Sequence, residues 1–290
     1  MNPYDLLIAP FAEFEFMRRA LVGGVAIALA AAPVGVFLML RRMSLTGDAM
    51  AHAILPGAAL GYLVAGLSLP AMTFGGILAG SLVAISAGLV ARFTALKEDA
   101  SLAAFYLISL ALGVTLVSLK GSNVDLLHVL FGTVLALDDA ALILLAAIAT
   151  VTLVTLALLY RPLVLECVDP IFLRSVSRAG GPTHLVFLGL VVLNLVGGFQ
   201  ALGTLLAVGL MMLPAASSRF WSADVTVMIA MASGIGVASA ACGLLLSYHA
   251  ELPAGPAIIL VAGGAYLLSM ALGREGGLVW LALPRKHLEA

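Results

Sequence analysis

Apolar runs of roughly twenty residues, separated by short polar clusters, recur along the whole 290-residue chain. A run of that length, at about 1.5 Å per helical residue, crosses about 30 Å of hydrocarbon. The pattern predicts spans at 20–40, 45–66, 71–91, 100–119, 140–160, 182–198, 200–217, 225–248 and 254–273, nine in all, or eight if one is re-entrant. Ser68-Leu69-Pro70 marks the turn between the second and third. From Ala179 to Ser218 there is no Asp, Glu, Lys or Arg, so that stretch is divided at Gly197-Gly198. Residues 1–19 mix Phe11, Phe14 and Phe16 with Glu13, Glu15, Arg18 and Arg19, the composition of an amphipathic lead-in. Residues 120–139 read as an outer loop with a partial helix. Residues 161–181 are the longest polar connection, and 274–290 are a partly apolar tail suited to the membrane surface.

Composition reinforces this reading. The chain is 63% hydrophobic and 10% charged, with mean hydropathy +1.17, whereas a soluble domain carries about 25% charged residues. An all-α polytopic membrane protein follows, organised as one domain over 1–290. The net charge of −1 offers nothing to nucleic acid. The opening residues have no basic n-region, so no signal peptide is expected. Cys167 and Cys242 form no CxxC and suggest neither a disulfide nor a thiolate metal site. With 161–181 on the cytoplasmic side, eleven of the 14 basic residues lie inside and only Arg18, Arg19 and Lys120 outside. The positive-inside bias therefore puts the C-terminus in the cytoplasm and, with nine spans, the N-terminus outside.

Asp48 and His52 stand out against this background. They are four residues apart, hence on one helical face, and after His52 no charged residue occurs until Arg92. Ionisable groups in a span are expensive and usually functional. Carboxylate and neutral imidazole suit borderline divalent metals such as zinc and manganese. Pro56 has no N–H for the His52 carbonyl, which brings a backbone oxygen near the pair. A plainer reading also exists: Ser44 or Thr46 caps the helix, Asp48 favours its dipole and His52 bonds to a neighbour. Two ligands do not complete a metal site, and simple counting puts the pair about 6–12 Å from the helix start.

In 161–181, Asp169 and Pro170 can start a short helix whose apolar Ile171 and Phe172 and basic Arg174 suit docking to a partner, or form an ordinary amphipathic surface helix. Asp125 and His128 in one outer loop, and His249 and Glu251 in another, form a candidate cation entrance, or solvated loop charge. The sequence contains no GxxxxGK[ST], so no P-loop, and no HExxH.

The block RRMSLTGDAMAHAILPGAALGYLVAG resembles the signature of the zinc/manganese/iron ABC transporter permeases, the membrane subunits of metal-uptake importers. LLHVLFGTVLAL is similar to that family's outer-loop block, VDPIFLRSVSRAG to its coupling helix, FQALGTLLAVGLMMLPAASSRFW to its Leu-Pro-Ala-Ala block and ELPAGPAIIL to its final block. The matches follow the family's order from about Phe16 to Leu272; Ala51 departs from it, since many members have Ser there. The resemblance implies a type II importer fold, like that of cobalamin and siderophore permeases. It also implies a second copy of the chain, a cytoplasmic ATPase dimer, an extracytoplasmic metal-binding protein and a plasma-membrane location in a prokaryote. Asp48 and His52 become metal ligands in the path, and Asp169 to Arg178 the coupling helix. No permanently bound cofactor and no covalent chemistry are expected.

Three other functions would also place a polytopic chain in a membrane. A permease for a siderophore or cobalamin needs a wide neutral path, which Asp48 and His52 oppose. An intramembrane enzyme needs a nucleophile–base pair or a metal motif, and neither is found. A secondary transporter would work without an ATPase.

Overall fold

The computed structural model describes residues 3–66, 68–94, 98–119, 134–169, 172–173 and 180–282. Among these the chain is helical throughout, as lipid requires of backbone that must satisfy its own hydrogen bonds. The helices are α1 (Pro3–Leu7), α2 (Ala9–Glu13), α3 (Glu15–Leu40), α4 (Ser44–Ala53), α5 (Leu55–Ala65), α6 (Leu69–Phe93), α7 (Glu98–Leu119), α8 (Asp139–Val168), α9 (Gly180–Leu202), α10 (Thr204–Arg219), α11 (Val225–Ala250), α12 (Ala254–Leu272) and α13 (Leu278–Ala282).

Seven segments are long and apolar enough to span: α3, the α4–α5 pair, α6, α8, α9, α11 and α12; Ala100–Leu116 of α7 and α10 are shorter apolar helices. These nine coincide with the nine predicted segments. Helices α3 and α9 are central, with 72% of their most apolar windows buried against 22% for α8. Around them α11, α10 and α8 pack on α3, while α6, α8 and α10 pack on α9. Outward-facing Phe74, Ile143 and Leu158 give the rim the apolar surface expected of lipid-facing helices.

Four boundaries differ from expectation. The first span begins at Glu15 rather than Ala20, because its charges are paired: Arg19 bridges to Glu15 (2.8 Å) and Asp139 (3.0 Å) and donates to the Leu137 carbonyl (3.4 Å). The second span is bent, turning at Ile54 ahead of Pro56, with Ala58 N–H resuming the ladder at the Ile54 carbonyl (3.1 Å).

The third difference is the segment from Arg161 to Val168. The sequence predicts a loop there, but the segment continues α8 past Pro162, with Leu163 fully buried; its acidic Glu166 is neutralised by Arg41. Finally, α9 runs straight through Gly197 and Gly198, and the chain breaks at Gly203. Gly203 has φ 93°, which a side chain rarely adopts. Gly197 and Gly198 instead admit neighbours: a Cβ there would collide with Ile148 and Ala207 respectively. Two GxxxG pairs, Gly57/Gly61 and Gly76/Gly80, serve packing within the chain: Gly57 meets the Gly75 backbone, Gly61 meets Ala71, and Gly76 and Gly80 receive Val196 and Val192.

Candidate metal site

The site begins at a tight corner. Helix α3 ends in a Schellman motif: Met43 N–H donates to the Leu38 carbonyl (2.9 Å) and Arg42 N–H to that of Met39 (3.0 Å). Arg42 takes the left-handed position, φ 60°, that glycine usually fills. Helix α4 starts two residues later at Ser44, so its orientation is set by the end of α3 with no slack between them.

Asp48 and His52 lie one turn apart on α4. Asp48 Oδ1 and His52 Nε2 are 3.9 Å apart, with side-chain exposures of 67% and 30%. That is too long for a hydrogen bond. It does allow both atoms to reach one cation, since ligand distances of about 2.0–2.2 Å to each sum to more than the separation. His52 Nδ1 is buried and has no hydrogen-bond partner, and the same holds for Thr46 Oγ1. The ring of Tyr106, on α7, lies 6.3 Å from that of His52. A cleft of about 160 Å³ opens here, lined by Leu45, Thr46, Asp48, Ala49, Leu102, Ala103 and Tyr106. Neither Ser44 nor Thr46 caps α4, so the capping alternative is not what this helix uses.

Two neighbours fix the depth. A Cβ at Gly47 would lie 3.8 Å from the Met211 and Met212 sulphurs, and Met211 is eight residues from the Arg219 end of α10. Tyr106 is eight residues from the Glu98 end of α7. Both counts place the pair about 12 Å along the bundle from the end where Arg41 lies, at the deep limit of the 6–12 Å estimated from the sequence. No cluster of three or more His, Cys, Asp or Glu side chains occurs among the described residues.

The other predicted positions are distributed as follows. The Asp169 carboxylate accepts from Phe172 N–H (2.8 Å), and Leu173 N–H donates to the Asp169 carbonyl (3.2 Å), a capped helical turn at the foot of α8. Phe172 is exposed and Leu173 buried. Pro170, Ile171 and Arg174 lie outside the described residues, as do Asp125 and His128. His249 bonds through Nε2 to the Leu6 carbonyl (2.9 Å), and Glu251 forms the left-handed cap of α11. Asp138 and Asp139 have structural duties: Asp138 caps α8 by accepting from Ala141 N–H (2.8 Å), and Asp139 pairs with Arg19. Both cysteines are free, as expected.

Sequence reasoning passed over one polar cluster. Arg41 pairs with Glu166 and donates to His184 Nδ1 (3.2 Å), with its guanidinium carbon 4.6 Å above the Phe187 ring. Arg41 is more than 120 positions from each of these partners, and nothing in the local sequence links them.

Residues 13–273 match the ABC 3 transport family. The chain belongs to that family. It is 32% identical to the manganese import system permease protein ScaB of Streptococcus parasanguinis, over 89% of this chain and 90% of that one. It is 28% identical to the manganese transport system membrane protein MntC of Halalkalibacterium halodurans, over 96% and 95%. Among solved structures, PsaBC from Streptococcus pneumoniae, in complex with a Fab, superposes with a TM-score of 0.83 at 29% identity, covering 94% of this chain and 98% of that one. The fold is therefore that of the ABC metal permeases, as the sequence resemblance implied, and Asp48 and His52 sit within the matched region.

Proposed function

We propose that this protein imports a divalent transition metal ion, manganese ahead of zinc or iron, as the membrane-spanning subunit of an ABC importer. The carrying observation is the Asp48–His52 pair in a chain whose family relatives are manganese permeases over nearly their full length. Oxygen and imidazole donors suit manganese. The delivering protein and the site geometry select among the metals.

The rest of the assembly belongs to the same reading. The chain acts as one permease domain in the plasma membrane, with the Arg41 end and the C-terminus in the cytoplasm. A second copy faces it across the path, and the two Asp48–His52 pairs together supply four donors. The exposure of Asp48 supports this, since it leaves the carboxylate accessible to a second copy. Two cytoplasmic ATPase subunits hydrolyse ATP, and the segment from Asp169 to Arg174 docks on one of them. An extracytoplasmic metal-binding protein delivers the ion. ATP-driven closure of the ATPase dimer shifts the docking segment, and the path opens to one side at a time.

The test is reconstitution of the chain with its ATPase and binding protein in proteoliposomes, and measurement of ATP-dependent uptake of Mn²⁺, Zn²⁺ and Fe²⁺. Uptake that needs ATP and the ATPase is expected. Equal uptake without either would overturn the importer reading.

A further inference from the structure

The end of the bundle away from the lead-in helices holds an ion cluster that the metal site does not use. Arg41, 6% exposed, caps α3; Glu166, 14% exposed, lies in the last turn of α8; His184 lies in the first turns of α9. Arg41 Nη2 donates to Glu166 Oε2, Nη1 donates to His184 Nδ1 (3.2 Å), and His184 Nδ1 is 3.9 Å from Glu166 Oε1. Phe187 covers the guanidinium face. Arg41 Nε is buried with no partner, so the guanidinium is not fully satisfied in this arrangement.

Burying such a group is not an efficient way to hold helices together, because apolar side chains of similar volume serve as well or better. What sets this cluster apart is what its two charged ends are attached to. Arg41 is seven residues before Asp48 and is joined to α4 through the Schellman corner, which leaves no loop to absorb displacement. Glu166 is three residues before Asp169, the cap of the turn that exposes Phe172. Among the described residues, one route between the docking turn and the ligand-bearing helix therefore runs through the Arg41–Glu166 ion pair.

We infer that Arg41, Glu166 and His184 form the tie that transmits movement of the docking turn to α4 and its Asp48–His52 pair. None of the three touches the ion; they are positioning residues. The inference rests on the importer reading above. When α8 moves with the ATPase, the pair pulls the α3–α4 corner with it. When the pair is absent, α8 moves without the corner, and ATP is hydrolysed without a change at the metal site.

The test uses the reconstituted transporter with its ATPase and binding protein, comparing the unaltered chain with Glu166→Gln, Arg41→Lys and the double variant Arg41→Met/Glu166→Met. Three quantities are read: ATP hydrolysis, Mn²⁺ uptake per ATP, and the melting temperature of the purified complex. Expected are hydrolysis within about twofold of the unaltered complex and uptake per ATP lowered at least tenfold in all three variants. The double variant, with no charge left unpaired, is expected to melt as the unaltered complex does and still to be uncoupled. A purely structural cluster predicts the opposite for the double variant: uptake per ATP recovers together with stability. That recovery would overturn the tie, and so would failure of the double variant to assemble. Absence of ATP-dependent uptake by the unaltered complex would overturn the importer reading itself, and the tie with it.

Discussion

Asp48 Oδ1 and His52 Nε2 are 3.9 Å apart on one face of α4, close enough to share a cation and too far apart to satisfy each other. The second imidazole nitrogen is buried and unpaired. A pair placed only for stability would close that gap with a hydrogen bond. Here Asp48 lines the cleft beside Tyr106, whose ring lies 6.3 Å from that of His52.

Replacing either ligand should therefore remove function and spare the fold. Asp48→Ala and His52→Ala are each expected to lower ATP-dependent Mn²⁺ uptake at least tenfold, and more together. Because Asp48 is mostly exposed, its replacement should change stability by only about 0.5 kcal/mol or less. Uptake assays and melting of the same preparations separate the two effects; normal uptake in both single variants would sink the assignment.

Phe172 and Leu173 are adjacent and point to different fates, one exposed and the other buried. Phe172→Asp should weaken co-purification with the ATPase while leaving the permease intact. Leu173→Asp should instead destabilise the permease, because a carboxylate is forced into an apolar site. Pull-down and thermal unfolding of both variants check this, and an unchanged complex for Phe172→Asp counts against docking at this turn.

The approach of α5 to α6 depends on Gly57 and Gly75, whose backbones are in direct contact. Gly57→Leu should cost about 1–3 kcal/mol by overpacking and lower the melting temperature in detergent. Leu60→Ala, on the exposed face of the same helix, is the control and should change it little.

Asn194 is fully buried in α9 and its Nδ2 donates to Thr152 Oγ1 (2.8 Å) and the Leu190 carbonyl (2.9 Å). Thr152→Val keeps the shape and removes one acceptor. The expected loss is about 0.6 kcal/mol, in the range measured for hydrogen bonds between membrane helices. A loss several times larger, read from unfolding in detergent, would mean that this bond orients α9 against α8 and does more than add stability.

Much of this protein was legible in one dimension. The nine apolar runs correspond to nine apolar helical segments among the described residues, because in lipid a backbone with no internal partner is too costly and the length of a run alone selects a helix. Asp48 and His52 were legible for the same reason, since charge within such a run is rare and the i,i+4 spacing puts both on one face. The errors came where a contact distant in sequence outweighs the local signal. Glu166 and Pro162 look like the start of a loop, yet α8 continues, because Arg41, 125 positions away, neutralises the acid. Gly197-Gly198 looks like a turn, yet it is a packing surface for Ile148 and Ala207, and the turn waits for Gly203. The sequence by itself determined the class of protein, its apolar spans and the placing of Asp48 and His52 on one helical face, all of which follow from local hydrophobicity and helical period. Only the tertiary structure decided how deep that pair lies, where α8 and α9 end, and that Arg41 reaches Glu166 and His184, because each depends on which helices come to lie side by side.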